Sequence, residues 1–170
     1  MSLRKKKYPR GDLVRLEHVS DVLRSNPLKD PYRRDLMVWL PPGYASKPTK
    51  RYPVFYDLAG YTSTGPARLN WKPFGENMPE RLERLVFEEK IGPVIVIFPD
   101  CFTSFGGNQY INSSALGAYD DYLIQELVPF VDDTFRTKSA AKHRACFGKS
   151  SGGYGAVSYT HLTLPTIVDV

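Results

Sequence analysis

Residues 144–153 read Arg144-Ala145-Cys146-Phe147-Gly148-Lys149-Ser150-Ser151-Gly152-Gly153. The stretch Arg144 to Phe147 predicts a short strand that runs directly into a G-x-S-x-G pattern, Gly148 to Gly152. Such a chain must turn from strand to helix within a few residues, lifting one side chain above the sheet edge. Glycines at 148 and 152 suit that turn, because a Cβ at either position would collide with its neighbours. Ser150 is therefore expected at the carboxyl end of a sheet, at the start of a helix whose N–H groups can stabilise an oxyanion. Gly153, Gly155 and Ala156 let that helix pack closely. A rival pattern overlaps it: residues 143–150, HRACFGKS, nearly match the phosphate-cradling G-x-x-x-x-G-K-[ST]. There His143 replaces the first glycine, and a strand occupies the positions where the loop would have to lie, so nucleotide hydrolysis is rejected.

Working outward, strands and helices alternate. Leu13 to Val22 and Asp35 to Leu40 predict an antiparallel strand pair, ended by Pro41-Pro42-Gly43. Val54 to Leu58 is a short apolar strand closed by Gly60. A helix over about Met78 to Lys90 places Leu82, Leu85 and Val86 on one face. Val94 to Phe98 is apolar without alternation, as for a parallel strand buried on both faces. A second helix, about Gly117 to Phe135, carries Pro129 as a kink site. The pattern predicts an α/β fold with a mostly parallel sheet and an N-terminal antiparallel pair.

Composition narrows the function classes. The chain has 170 residues, 42% apolar and 24% charged, which suits one globular domain. Its longest apolar run, Val94 to Phe98, is too short to cross a bilayer, so no membrane partner is expected. Much of the net charge of +5 comes from Arg4, Lys5, Lys6, Lys7 and Arg10. No basic stripe or aromatic interleaving continues them, so residues 1–12 read as a solvated arm and not as a nucleic-acid site. No apolar segment follows the arm, so no secretory signal is expected. Cys101 and Cys146 make no disulfide framework or metal-ligand spacing. These features favour a cytoplasmic protein, and the cysteines offer no metal site.

Several blocks together resemble the putative-esterase family of α/β-hydrolases, which includes esterase D, enterochelin esterases, feruloyl esterases and mycolyltransferases. They are Val38-Trp39-Leu40-Pro41-Pro42-Gly43-Tyr44, Arg51-Tyr52-Pro53-Val54 with Ala59-Gly60-Tyr61, Phe98-Pro99-Asp100, Tyr122 to Pro129, and the Ser150 turn. The resemblance implies an α/β-hydrolase fold and a carboxylic-ester hydrolase acting on a small-molecule ester through an acyl-enzyme on Ser150. It further implies an oxyanion hole made by the main-chain N–H groups of Tyr61 and Ser151. The family often carries His or Asp where Ala59 stands; main-chain donors make that departure tolerable. An acyltransferase of the same fold and a non-catalytic binding relative are the alternatives. The loop Ser104 to Tyr110 either lines an acyl pocket or simply connects strand to helix, and Trp71 reads as a packing residue ahead of a substrate platform. Neither the substrate's acyl and alcohol parts nor the oligomeric state is legible.

A serine nucleophile needs a base and the base an orienting acid, in this fold in the chain order Ser, acid, His. Only 20 residues follow Ser150, and they hold His161 before Asp169, the reverse order. His143 precedes the strand that Ser150 follows, which separates them by on the order of 20 Å. His18 lies in the N-terminal hairpin. No triad acid or histidine is therefore expected in this chain, which reads as the N-terminal part of a longer hydrolase domain and, alone, as inactive. Val157 to Thr166 also resembles one reading frame of a transposase-type sequencing adapter. The expected organisation is an arm over 1–12, hydrolase domain over 13–156, and a non-native read-through tail over 157–170.

Overall fold

The computed structural model describes residues 8–163, with side chains as far as Ser158. Five strands make one mixed sheet: β1 (Asp12–Val19), β2 (Arg33–Leu40), β3 (Val54–Leu58), β4 (Ile95–Pro99) and β7 (Arg144–Gly148). Between the last two lies a small ribbon of β5 (Asn112–Ser113) and β6 (Gly117–Ala118). The order across the main sheet is β1-β2-β4-β3-β7. The β1/β2 and β2/β4 pairings are antiparallel, whereas β4/β3 and β3/β7 are parallel, so β2 alone runs against the other four. The expected antiparallel pair is present, but the further antiparallel pairing of β2 with β4 leaves two of the four pairings parallel, a mixed sheet where a mostly parallel one was expected.

The two-residue period of the strands divides the core. Leu36, Val38 and Leu40 of β2 join Ile95 and Ile97 of β4 and Tyr56 of β3 on one face, under Tyr122, Leu127 and Val131. Trp39, Val96 and Phe98 point the other way and pack on Leu82. All five residues of β4 are buried, which explains the absence of alternation in its sequence. β1 is an edge strand and alternates between exposed and partly buried positions.

Helix α1 (Met78–Phe87) begins with a capping box: the Asn77 side chain accepts the Glu80 N–H, and the Glu80 carboxylate accepts the Asn77 N–H, both at 3.0 Å. It ends before the expected Lys90 because the chain turns at Glu89, whose φ is +56°. The second expected helix is three continuous segments, α2 (Tyr119–Asp121), a π-helical stretch (Tyr122–Leu127) and α3 (Val128–Thr134). Pro129 offers no N–H and its ring crowds the carbonyl four residues back. The widened turns accommodate it without a sharp break. After β7, helix α4 (Ser151–Thr163) extends seven residues into segment 157–170, whose last seven residues lie outside the described ones.

Candidate active site

The site is built where β7 gives way to α4. Ser150 occupies the turn with φ +58°, the left-handed region that a side chain enters only under constraint. The constraint is visible on both sides. A Cβ on Gly148 would stand 2.4 Å from the Leu58 carbonyl oxygen, and one on Gly152 only 2.0 Å from the same atom. Both glycines are thus fixed by the close approach of the turn to the end of β3. The Gly152 N–H donates to the Lys149 carbonyl (3.1 Å) and the Tyr154 N–H to the Ser150 carbonyl (3.0 Å), closing the first turn of α4. Ser150 itself is exposed, while Ser151 is buried.

The loop after β3 lies beside this turn. A Cβ built on Gly60 would be 3.9 Å from the Ser150 Cβ and 3.3 Å from the Lys149 carbonyl oxygen. That places Tyr61, the next residue, at the same end of the sheet as Ser150 and Ser151. Among the described residues, the Tyr61 and Ser151 N–H groups donate to no main-chain acceptor.

The loop after β4 supports both. The Ser151 hydroxyl donates to the Asn108 carbonyl (2.5 Å), the Gly107 N–H to the Tyr61 carbonyl (2.5 Å), and the Tyr110 hydroxyl to the Ala59 carbonyl (2.6 Å). Burial pushes the Tyr110 phenol well up, keeping it a neutral donor. Gly155 of α4 meets the Tyr110 ring, with no room for a Cβ. Asn108, buried, ties the loop to itself by donating to Cys101 and accepting from Tyr110 N–H, both at 2.6 Å. Asp100 accepts from the Thr64 hydroxyl (2.9 Å) and the Phe102 N–H (3.1 Å), and so joins the loops after β3 and β4. The segment Ser104 to Tyr110 thus buttresses the turn. The sequence reading offers the loop Ser104 to Tyr110 as a pocket wall or a plain connection, but the ties from Asn108 and Tyr110 to the turn and the Thr64–Asp100 link are not legible in it. The only local signals were the Gly106-Gly107-Asn108 turn and the position of Asp100 at a strand end.

Exposed aromatics lie on the loops after β3 and β4. Tyr61 donates its hydroxyl to the Phe105 carbonyl (2.8 Å), and both side chains are exposed. Trp71, expected to pack, is 67% exposed: the loop carrying it crosses the surface outside the core.

Neither described histidine with a placed side chain approaches Ser150. His18 of β1 packs against the Phe130 ring and lies 3.4 Å from a Glu126 carboxylate oxygen. His143 sits at the start of β7, the opposite end from Ser150. The side chain of His161, and Asp169 altogether, fall outside the described residues. Burial raises both thiols, Cys146 to about 12 and Cys101 further, so neither competes as a nucleophile.

A mixed sheet with a strand–turn–helix serine at its carboxyl end defines an α/β-hydrolase-type scaffold. The family described as "Putative esterase" matches residues 29–167, and the chain belongs to that family. It is 31% identical over 119 residues to an endo-1,4-beta-xylanase/feruloyl esterase of Xylanibacter ruminicola, covering 68% of this chain and 16% of that protein. Among solved structures, a ferulic acid esterase superposes with TM-score 0.74 and 26% identity over 89% of this chain and 55% of its own. An S-formylglutathione hydrolase from Agrobacterium tumefaciens gives TM-score 0.62 and 21% identity over 93% of this chain and 56% of its own. The chain spans about half the length of these two structures.

Proposed function

We propose that the protein is a serine carboxylic-ester hydrolase that works through an acyl-enzyme on Ser150. The observation that carries this reading is the left-handed backbone of Ser150 on a glycine-walled turn beside Gly60 and Tyr61. The Ser150 hydroxyl attacks the ester carbonyl while a histidine takes its proton, and the carbonyl oxygen becomes an oxyanion. The Tyr61 and Ser151 N–H groups receive that charge, at the dipole-positive start of α4. Collapse releases the alcohol, and water then frees the acid from Ser150.

In this reading the acid and histidine of the triad come from sequence outside these 170 residues, and segment 157–170 is read-through rather than native chain. The site needs no metal or cofactor, and a cytoplasmic setting suits the two free thiols. Relatives named for feruloyl and ferulic acid esters, together with exposed Tyr61 and Phe105 on the loops after β3 and β4, favour an aromatic acyl group.

The test is ester turnover by the complete protein against its Ser150→Ala variant, with p-nitrophenyl acetate and methyl ferulate as substrates. Loss of turnover in the variant is expected; retained turnover refutes the assignment.

A further inference from the structure

Beside the Ser150 turn lies a second feature that the ester chemistry does not use. A cavity of about 220 Å³ opens between the loop after β3 and the first turn of α1, lined by Ser63, Arg68, Lys72, Glu76, Asn77 and Arg81. Its charges are unevenly committed. Both Glu76 carboxylate oxygens accept from Arg84, at 2.7 and 3.0 Å, and Glu80 nearby is held by its cap on Asn77. Arg68 donates through Nε to the buried Asp57 carboxylate at 2.8 Å, which leaves its two terminal nitrogens for the cavity. Lys72 and Arg81 are exposed and have no ion-pair partner among the described residues. The cavity therefore presents Lys72, Arg81 and the terminal nitrogens of Arg68 against one lining carboxylate, Glu76, which Arg84 pairs and on which the Arg81 charge also acts.

Its position ties it to the ester site. The Ser63 N–H donates to the Gly60 carbonyl at 3.0 Å, and Gly60 is the residue that abuts Ser150. One tight turn of chain separates Ser63, at the cavity wall, from Gly60. Resting on the esterase reading above, we propose that this cavity is an oxyanion subsite, which seats a carboxylate or phosphate carried on one limb of the ester. A guanidinium and an ammonium that line one cavity can give such a group charge-assisted hydrogen bonds, the stronger class. The structure thus points to anionic esters over their neutral counterparts.

The test separates binding from turnover by using the Ser150→Ala protein. Monomethyl succinate carries its charge on the acyl limb and acetoxyacetate on the alcohol limb; dimethyl succinate and methyl acetoxyacetate are the neutral controls. Titration followed by NMR should show at least one charged ester binding about tenfold tighter than its control, a preference that added salt weakens. Lys72→Ala with Arg81→Ala should erase the preference, whereas Lys72→Arg with Arg81→Lys should keep it. Competition by inorganic phosphate against acetate tells which oxyanion fits better. Equal binding of charged and neutral esters, or a preference that survives the double alanine variant, overturns the proposal. Failure of the Ser150 protein to hydrolyse any ester overturns the esterase reading instead and leaves the binding result standing.

Discussion

Ser151 donates its buried hydroxyl to the carbonyl of Asn108 at 2.5 Å, pinning the first residue of α4 to the loop after β4. Two adjacent serines therefore have separable duties. Ser150 is exposed at the turn, and Ser150→Ala in the complete protein should lower ester turnover by about 10⁴-fold or more. Ser151→Ala keeps its main-chain N–H but strands a buried carbonyl, which should cost about 1–3 kcal/mol of stability. Its effect on turnover should be far smaller, and denaturant titration beside kinetics reads both. A lethal Ser151→Ala with a mild Ser150→Ala would reverse the assignment of the nucleophile.

Gly152→Ala should be much worse than a substitution at the open Gly92. The new methyl would lie 2.0 Å from the Leu58 carbonyl oxygen, and the obstacle is backbone that cannot swing aside, while Gly92 has nothing within 4 Å. Either the elbow shifts or β3 does, and overpacking of this kind costs about 1–3 kcal/mol or more. Circular dichroism melts of the two variants should differ clearly, with Gly92→Ala close to the parent. Similar melts would show that the turn has slack the structure denies it.

How much of this could be read from the sequence depends on how local each cause is. β3 is found at Val54–Leu58 as expected, and a Cβ on Gly148 or Gly152 would meet the Leu58 carbonyl oxygen. Both follow from the chain's own periodicity and stereochemistry. The π-helical stretch was foreshadowed only as a kink at Pro129, since a proline forbids one hydrogen bond but does not choose its replacement. The ribbon of β5 and β6 and the ties from Asn108 and Tyr110 to the elbow rest on contacts between distant segments. No spacing in the sequence encodes those. Trp71 shows the converse: a large aromatic suggests a core position, but no element near it offers one.

Asp57 makes a pH-dependent prediction. It is fully buried on β3, and burial raises its pKa above the ordinary value of 3.8, although the Arg68 hydrogen bond and charge pull it down. A raised folded-state pKa means that the native protein binds more protons than the unfolded chain. The Asp57 contribution is then fully present below the unfolded value and declines as pH rises through the folded one. Asp57→Asn removes the titration while keeping the shape. Relative to the parent, the variant should therefore gain stability between acid and neutral pH. Urea unfolding of both proteins across that range measures the difference, and a relative loss with rising pH would show that Arg68, not burial, dominates.

The 170-residue polypeptide expressed by itself should show no Ser150-dependent esterase activity. Its described histidines with placed side chains lie elsewhere, His18 against Phe130 and His143 at the far end of β7. Without a base the Ser150 hydroxyl stays protonated and is a weak nucleophile. Folding is expected to suffer as well. Among the described residues, β7 pairs only with β3 and closes one edge of the sheet, so its other side offers unpaired N–H and C=O groups next to apolar Cys146 and Phe147. Such an edge invites association between chains. Stability is a small difference between large terms, so a sheet that leaves β7 as an exposed edge has little margin. The polypeptide should be poorly soluble or melt without a sharp transition, and its hydrolysis of p-nitrophenyl acetate should match that of its own Ser150→Ala variant. A cooperative melt together with turnover that vanishes in Ser150→Ala would show that these residues carry a base of their own, and would overturn the placement of the triad partners outside them.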